Sequence, residues 1–536
     1  MGVRASGVPG AAKVSDVVQL RPLSTSADLR IVDDLGRDVL LRGANVNSLG
    51  EYWQGDPAHP STIPVTDADW AEMASRGMSV VRLIVTWSRI EPQPGQIDQL
   101  YLDLVDQTVQ AAARNGVYTV IDMHQDAYSP FVATTDPASC PAGTVPGKGW
   151  DGAPAWATLT DGASTCTPGD RYAAPAVFAA FNNFYENTNG IRDHFVQSWA
   201  AVADRFAGRP EVAGFDLLNE PAVTKPAAEL EPLYDGLIRD ALVAIRSAEA
   251  GAPFEHLVFV EPALPMGDTT LGLVVPDPNR IGVDPTNVVG APHNYAESIG
   301  IPGLSVRLED MNDLYLSLTR SLGVPLWLGE YGFWDTNPET LDKVARTAAD
   351  EDRKAIGGAW WQWRQSCGDP HHVQWQGNQV VVPGPGDTQL HRLGCPGNID
   401  LGPTEEFLDV LGRGYPRASP GRITSLVSDP ASGQADLVAD TGASGGQLVM
   451  WTPTPDDPAH AAQGENLTNI ASFAVEGGRI ITATVASGGC YALHVGTVTV
   501  SCAASATTTT VPATLPGTAS GAGQGQAVAA TPRFAG

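Results

Sequence analysis

Val212-Ala-Gly-Phe-Asp-Leu-Leu-Asn219-Glu220-Pro221 is a short apolar run that ends on a carboxylate, and Pro325-Leu-Trp-Leu-Gly-Glu330-Tyr331-Gly332 is a second one. Apolar runs of this length, bounded by turn residues, read as strands buried on both faces. In a barrel of parallel strands, the side chains at the C-terminal strand ends face one shared mouth, where such folds do their chemistry. Two carboxyls across one mouth can cleave a glycosidic bond, one protonating the leaving oxygen while the other attacks carbon or activates water. Either segment alone is a weak signal. The two together, each behind its own strand, are specific.

Working outward, apolar runs with turn signals alternate with amphipathic stretches, as in βα repeats. The predicted strands are 39–47, 80–87, 118–124, 212–220, 256–262, 287–295, 326–331 and 355–363, with helices such as 100–115 and 233–250 between them. Eight such units give an α/β fold, a (β/α)8 TIM barrel. A doubly wound sheet would want a Gly-rich phosphate turn after the first strand, and Arg42-Gly-Ala-Asn-Val-Asn47 does not supply one. Residues 1–30 read as a lead-in and 31–416 as the barrel, with a long insertion at 127–211. That connection far exceeds an ordinary βα loop. It carries Tyr128, Phe131, Trp150, Trp156, Tyr172, Phe178, Phe181, Phe184 and Tyr185, rings expected to pack its own small core or to shape the mouth. From 417 to 502 short alternating strands (423–428, 434–439, 447–451, 479–485, 490–500) predict a C-terminal β-sandwich domain. Residues 503–536, rich in Thr, Ala, Gly and Pro, read as a disordered tail.

The chain has 536 residues and a formal charge of −28, which argues against nucleic acid and against electrostatic attachment to anionic membranes. Its Gly-, Pro- and Ala-rich, Lys-poor composition fits a high-GC bacterial bias. The six cysteines fall into sequence-local pairs, Cys140 with Cys166, Cys367 with Cys395 and Cys490 with Cys502, none with zinc-type spacing. Disulfides and an oxidising compartment follow, with connectivity open. A secreted protein is expected, although Met1-Gly-Val-Arg-Ala-Ser6 has no apolar run of signal-peptide kind. No stretch is long and apolar enough to span a membrane. A monomer is expected.

At the mouth, Glu220 is the candidate acid and base and Glu330 the candidate nucleophile, with Asn219 placed to hold a sugar hydroxyl or to cap the following turn. Arg82 on the second strand is placed to keep Glu330 ionised, or to form a plain salt bridge. His293 and Tyr295, two apart on the sixth strand, point to the same side. The tyrosine would orient the nucleophile and the histidine would bond sugar or carboxylate. His124 closes the third strand, with Asp126 just beyond. Trp363, in Trp360-Trp-Gln-Trp363, offers a flat floor for a pyranose, while Trp360 and Trp361 read as core. Glu261 also ends a strand but lacks an Asn partner. Asp122 and Asp216 read as structural, and His371-His372 as loop. Phe333-Trp334, directly after the second motif, would line a lipid groove or pack the loop onto the barrel.

On Arg82, His124, Asn219-Glu220-Pro221, His293, Tyr295, Glu330 and Trp363, the chain resembles glycoside hydrolase family 5. On Asp122-Met-His-Gln-Asp126, Phe215-Asp-Leu-Leu-Asn-Glu-Pro221, Ala291-Pro-His-Asn-Tyr295, Leu328-Gly-Glu-Tyr-Gly332 and the sandwich, it is similar to the endoglycoceramidases within it. The resemblance implies retaining cleavage of the β-bond between glycan and ceramide in a glycosphingolipid, without metal or other cofactor. It further implies that Asp126 contacts the sugar and Tyr295 the nucleophile. A glycolipid or oligosaccharide is the implied substrate, with peripheral contact with lipid aggregates. Several relatives carry a Lys where this chain reads Asn45-Val-Asn-Ser-Leu-Gly-Glu-Tyr-Trp53, so their glycan preference does not carry over and a galactose-linked ceramide fits as well. Two alternatives stand beside this reading. One is a β-glucosidase or β-glucanase on soluble or other lipid-linked glucosides, the other a non-catalytic carbohydrate- or lipid-binding protein.

Overall fold

The computed structural model describes residues 18–299, 306–384, 389–442, 444–453, 467–476, 479–496 and 502. Eight parallel strands form the central sheet: β1 (Arg42–Val46), β2 (Val80–Thr86), β3 (Tyr118–His124), β4 (Val212–Asp216), β5 (Leu257–Val260), β6 (Val288–Gly290), β7 (Leu328–Tyr331) and β8 (Gly358–Trp360). Each pairs with its sequence neighbour, and β8 pairs back onto β1. A parallel bridge from Gly290 to Leu326 closes β6 onto β7, completing the barrel. Alternation along β2 sends Val81, Leu83 and Val85 out into the core shared with the helices. Val80 faces inward with Leu41, Val120, Phe259, Trp327 and Ala359, filling the barrel floor.

Most strands are shorter than predicted, ending at Val46, Asp216, Val260, Gly290 and Trp360 rather than at 47, 220, 262, 295 and 363. Residues that continue an apolar pattern leave the ladder once the barrel rim is reached, and there the backbone turns into the mouth. The helices lie outside as expected. The one at Gln99–Arg114 starts where the Asp98 carboxylate accepts from the Leu100 and Tyr101 amides, and it buries Tyr101, Leu102, Val105, Val109 and Ala112 on one face. The long connection after β3 runs through short 3-10 turns to helices Pro175–Tyr185 and Ile191–Phe206. The second of these packs on the Ala227–Ala248 helix as an ordinary barrel helix. The extra material is therefore shorter than the predicted 127–211. Its rings mostly pack together: Tyr128, Phe181, Phe184 and Tyr185 are buried in mutual edge and stacked contacts.

Two antiparallel sheets follow. One holds Tyr415–Pro420, Gly446–Trp451, Ile470–Glu476 and Ile480–Val485, and the other Arg422–Asp429, Gln434–Asp440, Leu467–Thr468 and Cys490–Val495. Leu426, Leu437, Leu448, Met450, Ile481 and Leu493 fill the space between them. The expected lead-in is not separate from this unit. Leu23–Thr25, Ile31–Asp33 and Arg37–Asp38 extend the first sheet through pairing of Arg37 and Asp38 with Pro420 and Ser419. Such pairing over long sequence separation leaves no local trace in the sequence. The tail at 503–536 lies outside the described residues. Three disulfides join the cysteines within the three local pairs.

Candidate active site

Arg82 is the centre around which the mouth is built. It sits mid-strand on β2, is fully buried, and is paired by register with Asn45 on β1 and Val120 on β3. Its Nε donates to Asp216 (2.8 Å), and Nη1 donates to Glu330 (2.8 Å) and Asn45 (3.2 Å). Nη2 donates to Asn219 (2.9 Å) and Glu261 (3.1 Å) and lies 3.0 Å from Asp122. Burial opposes the guanidinium's charge, but four carboxylates outweigh it and raise the pKa well above its ordinary value. Asp122 and Asp216, predicted as structural, are the inner half of this ion cluster.

Glu330, near the end of β7, is buried. Its Oε1 accepts from Arg82 and its Oε2 from the Tyr295 hydroxyl at 2.7 Å. Glu220 lies past the end of β4, with φ at +38°, a conformation that costs a non-glycine residue about 1–3 kcal/mol. Neighbours hold it there: its amide donates to Glu261 (3.0 Å), and Gln125 donates to the Asn219 and Glu220 carbonyls (2.7 and 2.9 Å). His293 joins the two glutamates, with Nδ1 at 2.9 Å from Glu220 Oε1 and 3.5 Å from Glu330 Oε2, and Nε2 at 3.1 Å from Glu261. An oxygen of each glutamate and a His293 nitrogen all lie within 4.8 Å of one another. So close an approach of one oxygen from each carboxyl favours the short separation of retaining glycosidases, ~5–5.5 Å, over the ~6.5–9.5 Å of inverting ones. The positive charge a metal would bring is already supplied by His293 and Arg82.

The charges interlock. Burial works against a charged His293, but Glu261 and Glu330, with hydrogen bonds to Glu220 and Glu261, raise its pKa well above the ordinary value. Burial pushes Glu220 up, yet the hydrogen bond and charge of His293 prevail and its pKa is lowered. Glu261 goes the other way, pushed up to about 7 chiefly by burial. It was set aside in the sequence for lacking an Asn partner, but it is the strut that ties Arg82, His293 and the Glu220 amide together.

The other predicted residues divide. His293 and Tyr295 do converge on the glutamates, but from the loop after β6 and not from the strand itself. His124 donates through Nδ1 to Asp122 at 2.6 Å, and although burial opposes its charge, Asp122 and its neighbours raise its pKa to about 9. The Asn219 amide nitrogen donates to the Gln125 carbonyl (3.0 Å), so it supports the turn. Asp126 accepts from Arg171 (2.7 Å) and Tyr172 (2.9 Å) and lies 3.2 Å from His371. Trp363 is not a floor for a sugar: it is fully buried, its indole N–H donating to Asp69. Trp361 faces the mouth instead, stacked on His124 with centroids 5.4 Å apart. Because β8 ends at Trp360, Trp363 is not the strand-end residue that the predicted strand 355–363 made it. Of Phe333-Trp334, Phe333 packs against Trp360 in the core, and Trp334 stacks on Tyr295 at 5.8 Å.

Arg171 and His371 reach the site although the sequence marks neither for it, His371 reading only as loop, while Tyr172 is one of the insertion's rings expected to pack its core or to shape the mouth. Arg171 and Tyr172 come from the insertion and His371 from the loop tied by the Cys367–Cys395 bridge. The disulfides at those loops were the available signal, since a cross-link marks a loop whose position is kept.

The glycosyl hydrolase family 5 (cellulase) model matches residues 32–366, the segment that forms this barrel and mouth. The chain belongs to glycosyl hydrolase family 5. Among relatives of this family 5 enzyme, endoglycoceramidase I of Rhodococcus hoagii is 27% identical over 423 residues, covering 74% of this chain and 78% of its own. A solved endogalactoceramidase superposes with a TM-score of 0.76 at 36% identity, over 89% of this chain and 100% of that one. Endo-glycoceramidase II from Rhodococcus sp., solved as a lactosyl-enzyme intermediate, superposes with a TM-score of 0.62 at 26% identity, over 88% and 99% of the two chains.

Proposed function

We propose that this family 5 hydrolase is a retaining endoglycoceramidase, cutting the β-bond between the glycan and the ceramide of a glycosphingolipid. The observation that carries the proposal is the Glu220–Glu330 pair, with one oxygen of each within 4.8 Å of the other, on a chain that spans the full length of a solved endogalactoceramidase. Glu330, oriented by Arg82 and Tyr295, attacks the anomeric carbon while Glu220 protonates the departing ceramide oxygen. The proton comes through His293. As Glu330 gives up its charge to the new bond, His293 loses part of the field that holds its proton, and the 2.9 Å bond delivers that proton to Glu220. Glu220 then deprotonates the water that releases the glycan with its β-configuration. His124, Asp126 and Trp361 are the groups set to bind the glycone.

Loops after β3, β5 and β6 expose Phe131, Leu273 and Ile299, each more than two-fifths exposed, on the catalytic side of the barrel. These residues support peripheral contact of the mouth with lipid aggregates. The three disulfides fit secretion, and no helix among the described residues is long and apolar enough to cross a membrane. The deciding assay offers a panel of ceramide glycosides, galactose-linked ones included, beside soluble oligosaccharides, with mass detection of the products. Release of intact glycan and ceramide is expected. Turnover of the soluble panel alone would overturn the ceramide assignment, and NMR showing an inverted first product would overturn the nucleophile.

A further inference from the structure

The end of the barrel opposite the mouth holds a cavity of about 190 Å³, many times the ~10–15 Å³ that one water needs. Three parts of the chain enclose it: the N-terminal segment with Gln19, Arg21 and Asp33, the barrel floor with Ser79 and Tyr118, and the first sandwich sheet with Arg417 and Gln447. Three arginines and one aspartate line it. Two of the arginines are matched. Arg21 grips Asp34 through Nε and Nη2, and Arg37 pairs with Asp33 while reaching the Gln447 carbonyl.

Arg417 is different. It is 7% exposed, yet its guanidinium makes one hydrogen bond among the described residues, from Nη2 to the Gly116 carbonyl. Burial lowers its pKa, the phenols of Tyr415 and Tyr118 act in the opposite direction, and no carboxylate among the described residues forms an ion pair with it. A guanidinium carries five N–H donors, and burying a cation without a counter-charge is unfavourable. The cavity in front of it is where a counter-charge would go.

We propose that this cavity is an oxyanion site, in which Arg417 holds a small tetrahedral anion of the phosphate or sulfate class between the N-terminal strands, the barrel floor and the sandwich. A planar fork presents paired N–H groups that match two oxygens of such an anion, and Gln19 and Tyr118 also line the cavity. The bound anion ties the barrel floor to the N-terminal strands and the sandwich sheet they extend, so its effect falls on stability and not on the chemistry at the far end of the barrel.

The test is a titration of the full chain with inorganic phosphate, and separately with sulfate, at ionic strength held constant with sodium chloride. A ligand that binds only the folded state raises Tm along a saturating curve. The proposal expects a saturable rise of several degrees with both anions and none with chloride. Arg417→Met should abolish the saturable part and leave only the shallow, linear effect that excluded salts exert on any protein. It should keep wild-type turnover of an aryl glycoside at low temperature, which shows that it folds. A saturable rise undiminished in Arg417→Met would overturn the proposal, as would no saturable rise in the wild type. Should Arg417→Met fail to fold, wild-type crystals soaked in selenate decide the matter. Anomalous density beside Arg417 supports the site, and an empty cavity overturns it.

Discussion

Replacing Tyr295 with Phe removes one hydroxyl and leaves the ring that stacks on Trp334. The lost contact is the 2.7 Å hydrogen bond to Glu330 Oε2. Without it that oxygen is left, among the described residues, with His293 Nδ1 at 3.5 Å, outside good hydrogen-bond range. Hydrogen bonds to charged groups contribute about 1.5–3 kcal/mol. At about 1.4 kcal/mol per decade, that is roughly a 10- to 150-fold change in rate. The direction depends on the step. In glycosylation Glu330 gives up its charge, so losing the donor costs orientation but frees the nucleophile. In deglycosylation Glu330 departs as a carboxylate, and the missing donor raises that barrier in full. Tyr295→Phe should therefore lower kcat about 10- to 150-fold, with a smaller fall in kcat/KM on an activated aryl glycoside. The glycosyl-enzyme should accumulate, giving a pre-steady-state burst and an intact-mass adduct. Tm should move little. A kcat unchanged from wild type, or a fall in kcat without any trapped adduct, would refute the assignment of Tyr295 to the departing nucleophile.

Glu330→Gln and Glu220→Gln should each lose several orders of magnitude of turnover with folding intact, checked by circular dichroism. Azide should restore turnover of an activated substrate to Glu220→Ala with the β-configuration kept, because there the glycosyl-enzyme still forms and a small anion can attack it. Asp151 is fully buried with neither side-chain oxygen hydrogen-bonded among the described residues, and burial pushes its pKa up to about 8. Between about pH 4 and pH 8 the folded state therefore binds the extra proton, so this group makes stability fall as pH rises through that window. Asp151→Asn should flatten the fall, raising Tm relative to wild type by several degrees at pH 8–9 and hardly at all near pH 4. Removing the Cys367–Cys395 bridge should raise KM more than it lowers Tm, because it frees the loop that brings His371 to Asp126 while the barrel stays closed. Equal losses of binding and stability would contradict this. Trp334→Ala should reduce turnover on a ceramide glycoside and a soluble aryl glycoside alike, since the ring supports Tyr295. A loss confined to the lipid would return Trp334 to a lipid groove.

The sequence alone determined the barrel and the pair at its mouth. Strand runs, their spacing and the two terminal glutamates are local features, and a parallel barrel turns strand order into position around one rim. Arg82, His293 and Tyr295 were legible for the same reason, since each lies on or just beyond a strand whose end is fixed by the sheet. Only the tertiary structure decided the rest. It chose Trp361 over Trp363, because where a strand stops depends on the closing of the barrel and not on the apolar pattern. It made Glu261 a strut, because its partners Arg82, His293 and the Glu220 amide come from three other elements. It brought Arg171 and His371 to Asp126 across separations of 45 residues and more, along connections whose paths follow from packing and disulfides. It drew residues 23–38 into the sandwich sheet, since hydrogen bonding between distant strands uses backbone groups that every residue carries.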